Sequence, residues 1–162
     1  MSLEPKFQQY FEVCDMLYSF LRRPVVAWIY EGNKLKRLLE QRWSGHLETT
    51  AAVLDNYDEI VDVLTACGMS AEVDGNTGVE ASGLLVKVEN ANFLFIAHTV
   101  RQLLEFLKPA DQMLQARHSH LLAAITAVSA CISSVKALRL QEHVQLIISK
   151  IEKQGVQFEK YI

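Results

Sequence analysis

The residues best suited to chemistry in this chain lie close together. They are Arg42 and Trp43, with Lys34, Lys36 and Arg37 within two helical turns before them. An indole beside guanidinium and ammonium groups can stack on an unpaired base while the cations hold phosphate. The same tryptophan can instead anchor a helix junction in an apolar core. Taken alone, the residues favour the core anchor, with Lys36, Arg37, Arg42 and Trp43 standing as candidate nucleic-acid contacts.

A second concentration of functional groups is acidic. Asp55, Asp58, Glu59 and Asp62 fall away from the apolar stripe Leu47, Ala51, Leu54, Tyr57, Val61 and Leu64. That spacing predicts one helix, closed by Gly68 as its C-cap, with its acids in water. General acid–base work needs a cleft that shifts a carboxyl pKa, and a solvated helix face supplies none. Residues 44–80 carry eight acids and no Lys or Arg, so a phosphate backbone must avoid that segment.

His46, His98, His118, His120 and His143 show no i, i+4 metal pair, and the spacing predicts structural histidines at or near the surface. Cys14, Cys67 and Cys131 are odd in number and lack ligand spacing, which predicts buried free thiols in a reducing compartment. Asp74 and Asn76 hint at a calcium loop but lack the further acids and the closing Glu. There is no GxSxG, no CxxC and no Gly-rich phosphate cradle. The chain therefore reads as a non-enzyme, with no catalytic residue, metal, cofactor or small-molecule substrate.

The elements that must position these residues are helical. At 162 residues, half of them apolar and 22% charged, the chain is sized for one helical domain over residues 1–162. Phe7, Tyr10, Phe11, Cys14, Leu17, Tyr18 and Leu21 give a first amphipathic helix, and Pro24 opens a short second one ending near Gly32. A helix over Leu35–Gln41 leads to a break at Ser44-Gly45, with Ser44 as the next N-cap. Thr77 and Glu80 read as a capping box, and Asn90 or Asn92 caps a helix that Pro109 should kink or interrupt.

From Ser119 the helical period runs to Ile151, as one long helix or two broken near Leu140, with Ala and Ser dense enough for close helix approach. Residues 157–162 are expected to fray. No stretch alternates with period two, so the expectation is an all-α multi-helix bundle with no sheet. No apolar run reaches the ~18 residues of a bilayer span and no secretory leader is visible, which points to a soluble intracellular protein with no membrane partner.

The pivot stretch resembles the hAT-type (hobo-Activator) transposases and the zinc-finger MYM-type group derived from them. The residues that carry the likeness are Leu35-Lys36-Arg37-Leu38, Gln41-Arg42-Trp43-Ser44 and Tyr57-Asp58-Glu59-Ile60. It continues through Glu80 to Leu85, Phe93-Leu94-Phe95 and Met113-Leu114-Gln115, over roughly residues 7–140. The resemblance implies the helical insertion domain of such a transposase, without its ribonuclease-H-like catalytic core, in a nuclear protein. It also implies that Trp43 matches a tryptophan placed near the transposon end; Gln41 stands where the family has Thr.

Two functions follow as expectations. The first is a catalytically inactive, transposase-derived module that binds a protein partner or itself, which requires an exposed apolar patch of several hundred Å² and a buried Trp43. The alternative is residual DNA binding through the Arg-Trp motif and its basic neighbours, which requires an accessible Trp43.

Overall fold

The computed structural model describes residues 4–29, 45–115 and 121–157. These residues form eight α-helices and no strand: α1 Glu4–Leu21, α2 Pro24–Ile29, α3 His46–Asp55, α4 Tyr57–Met69, α5 Gly75–Val88, α6 Ala91–Gln115, α7 Leu121–Ala137 and α8 Gln141–Lys153. The fold is thus an all-α multi-helix bundle.

The core is centred on α1. Tyr10, Val13, Cys14, Leu17, Phe20 and Leu21 step along one face of that helix and are all buried. Against them lie Val53 of α3, Ile60 and Leu64 of α4, Leu84 of α5, Leu94 of α6, and Ile147 and Ile151 of α8. Pro24 takes the first position of α2, where a missing N–H costs nothing and the fixed φ suits a helix start. The corner between α1 and α2 is tied to α5. Arg23 lies over the Phe20 ring, 5.2 Å from its centroid, and donates from both terminal nitrogens to the two Glu80 carboxylate oxygens at 2.6 and 2.8 Å.

Several boundaries differ from the sequence expectation, each for a local reason. The stripe from Leu47 to Leu64 is two helices, not one, broken at Asn56. There the Asn56 side-chain amide donates to the Ala52 carbonyl at 2.8 Å, claiming a carbonyl that the end of α3 leaves over. Gly45, in extended backbone, holds the N-cap position of α3, whereas Ser44 and the helix expected over Leu35–Gln41 lie outside the described residues.

Gly68 is not a C-cap. It sits inside α4, where a Cβ would lie 2.9 Å from the Ser82 hydroxyl oxygen, so its bare backbone lets α4 and α5 pack tightly. Nor do Thr77 and Glu80 form a capping box. Asp74 caps α5, accepting from the Thr77 amide at 3.0 Å and the Thr77 hydroxyl at 2.7 Å, while Glu80 is engaged with Arg23. Those bonds hold the Asp74 carboxyl below its ordinary range.

Asn90 accepts from the Asn92 amide at the start of α6, and α6 then runs through Pro109 without interruption. The last apolar run is two helices: α7 and α8 meet at 70° around Leu140. Residues 158–162, most of the tail expected to fray, lie outside the described residues.

The contact of α8 with α6 carries a pH dependence. The half-buried His98 ring on α6 lies 3.2 Å from the Gln154 side-chain oxygen. Burial lowers its pKa below the ordinary imidazole value of 6.5, the Gln154 contact opposes this, and Lys150 and Arg101 add to the lowering. The unfolded chain therefore takes up this proton first as pH falls. The stability linked to His98 is complete above pH 6.5 and is lost as pH falls through the folded value. Thermal denaturation between pH 7 and pH 5 should show a falling Tm, and His98→Gln should flatten that slope. An unchanged slope would mean the loss arises elsewhere.

Candidate functional site

The feature of the described surface that packing does not account for is α7. Its sequence holds one charged residue, Lys136, and two apolar stripes of different size. Ala124, Ala127, Cys131 and Ser134 step by three and four; Ala124 is buried and the others are half-buried. Leu121, Ile125, Val128 and Ile132 also step by four and three, yet Leu121 is 75% exposed, Ile125 54% and Ile132 49%. The small side faces the body, where α7 packs chiefly on α6. Small side chains at a crossing allow two helices to approach closely, which explains this seating. The large side is left in water.

The surroundings of α7 extend that surface. Leu122 is 71% exposed beside Leu121, and α6 adds Leu114 at 62% and Leu107 at 41%. Below this ridge, a groove of about 720 Å³ runs between α3, α6 and α7. Its apolar walls are Leu47, Leu104, Leu107 and Leu114 on one side and Val128 and Ile132 on the other, with Glu48, Lys108, Asp111 and Gln112 supplying its polar lining. Scattered exposed apolar side chains are ordinary, but a contiguous set of several hundred Å² marks a contact surface.

The hydroxyls of α7 do not break this character. Thr126 donates to the Leu122 carbonyl at 2.9 Å and Ser133 to the Ser129 carbonyl at 3.1 Å, so both are satisfied within their own helix. An incoming surface meets no charge along these turns, and two of the exposed hydroxyls are already engaged. The stripe Leu121, Ile125, Val128 and Ile132 is thus apolar throughout.

A smaller cleft of about 260 Å³ lies between α1 and the junction of α5 with α6. Lys6, Lys87, Asn90 and Asn92 rim it, over Tyr10 and Phe93.

The residues singled out in the sequence are distributed elsewhere. Lys36, Arg37, Arg42 and Trp43 lie outside the described residues, as do His118 and His120. Of the described basic residues near that stretch, Arg23 is committed to Glu80, and Arg22 lies over the Tyr18 ring, 5.3 Å from its centroid. The described tryptophan, Trp28 on α2, is 59% exposed. His46 packs against the Phe11 ring at 4.1 Å, and His98 and His143 are half-buried.

The acidic face is largely solvated, although Asp55 binds Arg101 at 2.6 Å, which also holds Glu105 at 3.1 Å. Cys14 and Cys67 are buried, and burial pushes the Cys14 thiol up to about 12 and raises Cys67 as well, so neither is a ready nucleophile. Cys131 departs from expectation: it is only half-buried and lines the groove.

Among the described residues no group of three or more His, Cys, Asp or Glu could hold a metal ion. No single described helix is long and apolar enough to cross a membrane; α7 and α8 pass by length and composition only as a pair bent by 70°. No protein-family model matches the chain, and no curated protein or solved structure matches it.

Proposed function

We propose that this chain is a non-catalytic helical module of the transposase-derived kind its sequence resembles, and that it works by protein–protein association. The observation that carries the reading is the outward apolar face of α7 with its groove: Leu121, Leu122, Ile125 and Ile132 stand in water beside walls of the same chemistry. Removing such a face from water releases about 25 cal/mol per Å², enough for a few hundred Å² to drive specific contact. Three of the described acids are already engaged. Glu80 and Asp55 are held by arginines and Asp74 is spent on a helix cap.

The test sets this reading against DNA binding. An apolar fluorescent dye should bind the dilute wild-type protein, and Ile125→Glu should remove most of that signal. In parallel, anisotropy of labelled duplex, single-stranded and hairpin DNA should show no salt-sensitive binding, for wild type and Trp43→Ala alike. Binding that prefers unpaired bases, falls with salt and weakens in Trp43→Ala would overturn the association reading in favour of the Arg-Trp motif.

A further inference from the structure

We infer that the cleft between α1 and the junction of α5 with α6 is a binding site for a small organic carboxylate with a flat apolar body. It is separate from the α7 groove. The two share α6, but the cleft reaches only to Ile96, whereas the groove starts at Leu104, about 12 Å further along the helix.

The rim of the cleft is cationic in an acidic chain. Lys6 of α1 and Lys87 of α5 line it and no Asp or Glu does, although acids outnumber Lys and Arg by 19 to 16 in the sequence. Among the described residues neither lysine forms an ion pair. Two like charges brought to one rim, with no acid among its residues to neutralise them, attract an anion.

The amides on the rim suit a carboxylate. Gln9, Asn90 and Asn92 complete it, and the Asn90 side-chain oxygen accepts from the Asn92 backbone amide at 2.8 Å. That bond leaves the NH2 end of Asn90 as its free group. Side-chain amides beside ammonium groups supply donors for both oxygens of one carboxylate.

The floor asks for an apolar body. Tyr10 and Phe93 lie there with ring centroids 5.1 Å apart, and the Tyr10 hydroxyl is turned to Thr50 at 3.2 Å, so the pair presents carbon and no donor. A hydrated inorganic anion gains nothing from such a floor, whereas an apolar group does. The volume, about 260 Å³, bounds the size of that group. A cavity of about 150 Å³ holds benzene, so one ring and its carboxylate fit. No His, Cys or carboxylate lines the cleft, so the site holds its ligand without a general base or nucleophile to turn it over.

The experiment titrates the isotope-labelled full chain with phenylacetate, phenylacetamide, acetate and inorganic phosphate, following backbone amide shifts by NMR. Phenylacetate should give saturable shifts at Gln9, Asn92 and Phe93, in roughly the millimolar range for a ligand of about ten non-hydrogen atoms on an open cleft. The other three lack either the charge or the apolar body, and each should bind about tenfold more weakly or not at all.

Lys6→Gln and Lys87→Gln should each weaken phenylacetate by about fivefold, the scale of an exposed charge pair, and together by about twenty-five-fold. Both lysines are exposed, so the fold should be that of the wild type. If a variant fails to fold, phenylacetamide against wild type still decides whether charge is read. Phenylacetate that shifts residues 104–132 instead, that binds no better than phenylacetamide, or that ignores the loss of both lysines overturns the inference. Phosphate or acetate binding as tightly as phenylacetate overturns it too, because the floor then has no use. So does the absence of any saturable shift. None of these outcomes touches the association reading, which rests on α7.

Discussion

Phe20→Ala is expected to destabilise the fold by about 3–5 kcal/mol, the range for deleting a fully buried phenylalanine. Phe20 has no exposed surface, and its ring also supports the Arg23 guanidinium that reaches Glu80 on α5. The substitution therefore opens a cavity at the end of α1 and unseats the one described ion pair joining the first two helices to the fifth. Against a total stability of about 5–15 kcal/mol, the loss is large enough to lower Tm by roughly 10 °C. Arg23→Ala gives the comparison. With both side chains about a third exposed, that pair is worth on the order of 1 kcal/mol or less. If the two variants denature alike in urea, Phe20 is not part of the core.

Ala124→Leu is expected to cost about 1–3 kcal/mol and to do so locally. Ala124 is the buried residue of α7, and a longer side chain there pushes α7 away from α6. Because the apolar groove is walled by both helices, it should open at the same time, and the dye binding expected of the α7 face should change with it. Hydrogen exchange separates this from global unfolding: α7 amides should lose protection while those of α1 and α4 keep theirs. Ser129→Leu, at an exposed position of the same helix, should change stability by no more than about 0.5 kcal/mol. Equal losses in the two variants would show that α7 is seated on a different face.

The helices themselves were legible in the sequence because each buries one stripe at helical spacing. The spacing of Tyr10, Cys14, Leu17 and Leu21 defines α1 unambiguously, and the continuous apolar turn around Leu94 marks the buried start of α6. Breaks were less legible. Nothing in the Leu47–Leu64 stripe falls out of phase, yet α3 ends at Asn56, where the backbone leaves the helical region and the side-chain amide takes the Ala52 carbonyl. Glycine misled for a related reason. A bare backbone ends one helix and admits a neighbour to another, and only the position of Ser82 tells which role Gly68 plays. At Asp74, Thr77 and Glu80 three residues competed for one cap, and Glu80 was drawn off by Arg23, a partner 57 residues away in sequence.

The exposed apolar face of α7 was the least legible part. Two stripes of α7 have equal claim to the interior by period, and burial normally selects the larger. Here Ala124 lies inside while Leu121 and Ile125 lie outside. Periodicity predicts that a helix has faces; it does not rank them when both are apolar. The stretch that drew most attention in the sequence, Lys36 to Trp43, lies outside the described residues.

The absence of charge from Leu121 to Val135 of α7 has a physical consequence for how a contact made through that stripe responds to its surroundings. An association built on apolar surface alone is nearly indifferent to sodium chloride, because there is no ion pair for the salt to screen. It should instead tighten in sulfate, which is excluded from protein surfaces, and loosen in the cold, where the release of water from apolar groups drives contact less strongly. A partner held through this stripe alone should therefore be released by a cold room rather than by a salt gradient.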